Sequence, residues 1–102
     1  MDRIAMLKEI LTQNPGDAFA RYGLAMAYVA EGRTPEALAE FDQTIAANPD
    51  YVPAYQMSGQ QLIKSGRLDD AKARIEAGLT AAARTGNDHA ASELQGMLDE
   101  LS

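Results

Sequence analysis

The side chains able to do chemistry are few in this chain of 102 residues: one histidine, His89, two adjacent acidic pairs, Asp69-Asp70 and Asp99-Glu100, and no cysteine. An imidazole among carboxylates is the least that general acid–base catalysis needs, and a cage of carboxylates is the least that a hard metal ion needs. No acidic run has the spacing of an EF-hand loop, and the lack of Cys removes thiolate metal sites, cysteine nucleophiles and disulfides together. His89 reads as a solvated residue in the first turn of a helix. Asp69 reads as a helix N-cap, with Asp70 adding negative charge near the positive end of the helix dipole, and Asp99 with Glu100 as a solvated face. The glycines of "GDAFARYGLAMAYVAEG" (residues 16–32) are spread over a helix and its two ends, which is no phosphate cradle. The expectation is a non-enzyme with no catalytic residue, metal ligand or cofactor.

Composition narrows the partners. With 46% hydrophobic and 24% charged residues the chain fits one globular domain. A net charge of −6 without any Lys/Arg cluster excludes nucleic acid and anionic membrane as expected partners. No apolar run approaches the ~20 residues that span a bilayer. In "MDRIAMLKEILTQNP", Asp2, Lys8 and Glu9 interrupt the apolar pattern, unlike a signal peptide, so a cytoplasmic protein is expected.

The elements that must position these residues announce themselves by repetition. "GRTPEALAEF" returns as "GRLDDAKARI", so that Gly32 and Gly66, Arg33 and Arg67, Ala37 and Ala71, and Pro15 and Pro49 each lie 34 residues apart. The same register extends back to the first turn, through Ala5, Ala39 and Ala73; Leu7, Phe41 and Ile75; and Leu11, Ile45 and Leu79. Apolar residues three and four apart make each period a pair of helices. Gly32 and Gly66 stop the first helix of each pair. The second helix then starts with Thr34 as N-cap and Pro35 at the first helical position, or with Asp69 as N-cap. Turns this short make the paired helices antiparallel. Asn14-Pro15 and Asn48-Pro49 end the second helix, after which Asp17 and Asp50 can cap the next. Six helices are expected, at about 2–13, 17–31, 35–47, 51–65, 69–84 and 88–101.

This pattern resembles the tetratricopeptide repeat, which runs W-x2-L-G-x2-Y, then A-x3-F, then P over 34 residues. Leu24, Ala25, Tyr28, Ala37, Phe41 and Pro49 carry the first copy; Tyr55, Gly59, Leu62, Ala71 and Ile75 carry the second. Arg21, Ser58, Ala83 and, in the first helix, Arg3 depart from it. The resemblance covers the whole chain as one domain over 1–102, with an N-terminal half-repeat helix at 1–15, repeats at 18–51 and 52–85, and a C-terminal capping helix at 88–101. It implies a small bacterial-type protein of all-α class, a right-handed α-solenoid of antiparallel helix pairs. Ala25, Gly59, Ala37 and Ala71 then let helices approach, while Leu24, Tyr28, Phe41 and Ile75 fill the space between them. Asp2, Arg3, Glu9 and Thr12 at one end, and Glu93, Asp99 and Glu100 at the other, are expected to give the terminal helices polar outer faces. Met6, Met26, Met57 and Met97 read as packing.

One helix has apolar surface to spare. Beside Leu24, Ala25 and Tyr28, the segment 17–31 carries a second stripe, Phe19, Tyr22, Met26 and Val29. In the resembled family the first helices of successive repeats line a groove that holds a partner segment. Carried over by register, that groove comprises Phe19, Tyr22, Met26 and Val29; then Gln56, Gln60, Ile63 and Lys64; then His89, Ser92, Gly96 and Asp99. Tyr22, Met26 and Met57 stand where the family's clamp for a C-terminal carboxylate has basic and Asn side chains, so that clamp is not expected. The function implied is a scaffold binding a peptide or protein segment. The alternative is structural: a homodimer, or a piece of a longer repeat array, whose apolar stripe is covered by another copy or another repeat. The repeated Arg33 and Arg67 are open between a helix-end charge and a link to nearby acids.

Overall fold

Helices form where the apolar spacing expects them, and their ends differ from expectation by at most a few residues. The computed structural model describes residues 2–101; Met1, first of the expected half-repeat 1–15, and Ser102, last of the expected domain, lie outside the described residues. The helices are α1 (Arg3–Gln13), α2 (Ala18–Ala30), α3 (Thr34–Ala47), α4 (Val52–Lys64), α5 (Leu68–Thr85) and α6 (Asp88–Glu100), with no strand among the described residues. The fold is an all-α helical repeat. Contacts divide it into two units, 1–48 and 49–102.

In the first unit α2 packs against both α1 and α3. Asp17 caps α2 by accepting from the Ala20 amide at 3.0 Å, as expected. At the other end Gly32 takes φ +72°, and the Gly32 and Arg33 amides reach back to the carbonyls of Val29 and Tyr28 at 3.0 and 2.9 Å. This closes the last turn and reverses the chain. The start of α3 corrects one expectation: Thr34 is already helical, Arg33 is the N-cap residue, and no side chain caps the amides. Pro35 at the second helical position, where an amide would lack a partner, lessens the need for one. Leu24, Ala25, Ala37, Phe41 and Thr44 are buried, all but Leu24 completely. Burying Phe41 alone contributes roughly 1.5–3 kcal/mol. A second correction concerns α1. Only Leu11 of its apolar residues is fully buried, while Met6 and Ile10 are 49% and 43% exposed, so its outer face is not polar throughout and Met6 is not packing.

In the second unit α5 packs against α4 and α6, and α4 also touches α6. Gly66 repeats the closing turn, with φ +76° and the Arg67 amide bonded to the Leu62 carbonyl at 2.9 Å. Asp69 is not the N-cap: α5 starts at Leu68, one residue earlier, with Arg67 at the cap and both Asp69 and Asp70 inside the first turn. Asp50 does not cap α4 either. The helix starts at Val52, so Tyr51 is the cap residue, without a side-chain bond, and Asp50 lies one position before it, accepting from Arg84 Nε at 2.6 Å. Ala71, Ile75 and Leu94 have no exposed surface. At Gly78 α5 lies tightly against α4 and α6: a Cβ there would stand 2.7 Å from Cβ of Tyr55 and 3.2 Å from Leu94.

Candidate functional site

The apolar stripe of the first unit rests on α2, whose opposite side is committed to the core. Periodicity places Phe19, Tyr22, Met26 and Val29 along one side of the helix. Phe19 is 73% exposed, and the other three are half-buried. The Tyr22 ring leans on Phe41 of α3, with centroids 5.9 Å apart and planes 55° apart. Tyr22 therefore shares its surface between packing and solvent, whereas Phe19 presents nearly all of its ring. All four residues are uncharged.

The second unit carries the polar candidates on α4 and α6. Gln56 and Ile63 are half-buried; Gln60 and Lys64 are exposed. On α6, His89, Ser92, Gly96 and Asp99 are exposed. His89 Nε2 stands 3.1 Å from the Glu93 carboxylate with its side chain 88% exposed, as a solvated first-turn histidine should. Asp99 accepts from Gln95 Nε2 at 2.9 Å. The two helices meet where Gly59 faces Met97.

Polar links that sequence reading did not anticipate hold these helices in place. Arg21, standing where the repeat pattern has an aromatic, donates to Glu40 at 3.1 Å and to the Pro15 carbonyl at 3.1 Å. Tyr55, in the same register, donates its hydroxyl to the Pro49 carbonyl at 2.7 Å. Two unlike side chains thus tie a first-of-pair helix to the carbonyl six residues before it. The shared register of Arg21 with Pro15 and Tyr55 with Pro49 was the signal available. Arg84 Nη2 adds a second donor to the Pro49 carbonyl at 3.1 Å.

The repeated arginines resolve as links to acids. Arg33 Nε donates to Glu36 at 2.9 Å, and Arg67 Nε donates to Asp70 at 3.0 Å. The hydrogen bond from Arg33 holds the Glu36 carboxyl below its ordinary value, and Glu36 raises Arg33 in return. The Arg33 guanidinium also lies 4.6 Å from the centroid of the Tyr28 ring, and Lys8 Nζ of α1 approaches that ring at 5.9 Å. A buried aromatic with cations beside it joins α1, α2 and the start of α3.

Among the described residues no group of three or more His, Asp or Glu side chains could hold a metal ion, and no helix is long and apolar enough to cross a membrane.

Comparison with known proteins agrees with this geometry. A family model described as tetratricopeptide repeat matches residues 4–62 and again 30–98. The tetratricopeptide repeat and J domain-containing co-chaperone DNJ1 of Cryptococcus neoformans var. grubii is 40% identical over 77 residues, 76% of this chain; the chain spans 14% of that relative's length. A tetratricopeptide repeat domain protein from Salinibacter ruber, solved by NMR, is similar over 87% of this chain and 90% of its own, with 31% identity and a TM-score of 0.81. The TPR2B domain of yeast Sti1, solved in its pHsp70 complex, shares the fold over 96% of this chain and 78% of its own, with a TM-score of 0.88 at 23% identity.

Proposed function

The chain belongs to the tetratricopeptide repeat family, and on that premise we propose that it is a protein-interaction module whose first-of-pair helices receive a peptide or protein segment. The observation that carries this reading is the outward stripe of α2: Phe19 is 73% exposed and continues through Tyr22, Met26 and Val29. Rigid aromatic anchors combined with nearby polar side chains are the usual make-up of an interaction hot spot. In the first unit Phe19, Tyr22, Met26 and Val29 supply the apolar anchors. The second unit, taken by itself, offers Gln56, Gln60, Lys64, His89, Ser92 and Asp99 as polar groups, with Ile63 as an apolar contact. That the same fold is solved in a pHsp70 complex in the yeast domain supports an interaction role, and the partner is then set by this chain's own side chains. No catalytic role belongs to this reading.

The test uses a phage-displayed library of random 12-residue peptides selected on the immobilised protein. Enriched peptides should lose at least ten-fold in affinity on Phe19→Ala with Met26→Ala, while helicity is unchanged. These positions serve better than Tyr22, whose truncation also removes packing on Phe41. If no peptide is enriched, or the double variant binds as well, the reading is wrong.

A second reading rests on α1, where Met6 and Ile10 stay 49% and 43% exposed beside Glu9 and Gln13. It takes the chain as a structural unit whose α1 is covered by a second copy or a further repeat. Light scattering at micromolar concentration tests the self-association arm, and a clean 11.0 kDa monomer would remove it.

A further inference from the structure

Arg21 has more hydrogen-bond capacity than the helices around it use. A guanidinium is a fork of several N–H donors. Here Nη1 donates to Glu40 and Nη2 to the Pro15 carbonyl, each at 3.1 Å, whereas Nε is buried and has no acceptor among the described residues. A buried N–H without an acceptor is costly, and its presence asks what supplies one.

Beside this guanidinium lies a crevice of about 360 Å³ within the first unit, lined by Lys8, Leu11 and Thr12 of α1, Arg21 and Leu24 of α2, and Glu40 of α3. Leu11 and Leu24 are buried and give it an apolar base. Lys8 is exposed, and among the described residues its ammonium pairs with no carboxylate; it stands 5.9 Å from the Tyr28 ring. Thr12 has given its hydroxyl proton to the Lys8 carbonyl at 3.0 Å and offers no donor. The donors are therefore Lys8 and Arg21, and the one carboxylate present, Glu40, is already bonded to Arg21.

Charge decides the kind of guest. Lys8 and Arg21 against Glu40 leave one positive charge in a chain whose net charge is −6. That balance suits a monoanion and opposes a dianion. A carboxylate matches the planar fork of a guanidinium, and a short apolar stem behind it can rest on Leu11 and Leu24. The place is separate from the stripe of Phe19, Tyr22, Met26 and Val29, because helical periodicity sets Arg21 and Leu24 on a different side of α2.

We propose that this crevice binds a single carboxylate carried on a short apolar stem, held by the Lys8 ammonium and the Arg21 guanidinium. The bound group joins α1 to α2, since each helix supplies one of the two cations. The site goes beyond the interaction reading and does not depend on it.

Sodium butyrate is the probe, titrated into nitrogen-15-labelled protein with sodium chloride holding the ionic strength constant. The amide signals of Lys8, Thr12, Arg21 and Leu24 should shift together and saturate, and the thermal midpoint should rise. Lys8→Gln, which removes the charge from an exposed side chain, should keep helicity and weaken butyrate about ten-fold, while Lys8→Arg should restore it. Phosphate at pH 8, largely a dianion, should bind more weakly than butyrate and should gain on Glu40→Gln. An Ala-Glu-Ala peptide with both ends capped presents the same group on a chain: shifts of these amides by both probes assign the site to acidic side chains as well as free acids, and shifts by butyrate alone assign it to free acids. Shifts that do not saturate, butyrate affinity unchanged on Lys8→Gln, or phosphate bound as tightly as butyrate overturns the inference and leaves the interaction reading in place.

Discussion

Arg21 donates to Glu40 across α2 and α3 at 3.1 Å, whereas in the next repeat the register position of Glu40 is occupied by Arg74, which donates to Ser58 Oγ at 3.1 Å. The polarity at the helix–helix contact is reversed between the copies. A helix pair exchanged between repeats would set Arg21 against Arg74, a like-charge contact that the observed pairing avoids.

Reversing one of these charges should therefore be felt. Arg21 and Glu40 side chains are only 21% and 19% exposed, so water screens them incompletely. Glu40→Arg is expected to destabilise the fold by about 1–3 kcal/mol. Urea denaturation should show a lower midpoint at unchanged slope. An unchanged midpoint would mean that the Pro15 carbonyl alone holds Arg21.

Gly78→Ala should destabilise although alanine is the better helix former. The gain in helix propensity is about 1 kcal/mol. Against it stands a Cβ placed 2.7 Å from Cβ of Tyr55, an atom fixed to the α4 backbone. A net loss of roughly 1–3 kcal/mol is expected from the overpacking, and thermal denaturation followed by circular dichroism would measure it.

The Arg33–Glu36 pair predicts a pH dependence of definite sign. Because the folded value of Glu36 is lowered from 4.5, its contribution is present above that value and is lost as pH falls through the folded one. Glu36→Gln should therefore lower the thermal midpoint near pH 7, and the gap from the parent should close at acidic pH. Both side chains are 44% exposed, so 1 M salt should narrow the gap as well. A gap that persists unchanged in acid would assign the effect to something other than this ion pair.

Ala71→Leu adds three carbons at a site with no exposed surface, packed between helices of the second unit. Expected destabilisation is about 1–3 kcal/mol. The same substitution at Ala39, which is exposed, should stay within about 0.5 kcal/mol.

Helix count, the reversals at Gly32 and Gly66, the proline stops and the buried Ala37, Phe41, Ala71 and Ile75 were all legible without coordinates. Misreadings fell on caps and on Met6, which is 49% exposed. Thr34, Asp50 and Asp69 have the residue types that favour capping, but two of the helices begin one residue early and Asp50 is taken by Arg84. Propensity ranks what a side chain can do locally, and a one-residue shift in where a helix starts takes Thr34, Asp50 and Asp69 off the cap position. The apolar stripe of α2 was equally legible, yet periodicity could not say that Phe19 would stay open while Tyr22 leaned on Phe41.

What the sequence by itself determined is the local and the periodic: where helices run, where glycine must turn the chain, and which residues face inward, because backbone geometry and burial repeat at fixed intervals. Only the tertiary structure decided which long side chains meet. Arg21 reaching Glu40 and Pro15, Arg74 reaching Ser58, and the approach of α5 to α4 at Gly78 depend on distances between helices that no interval within one helix contains.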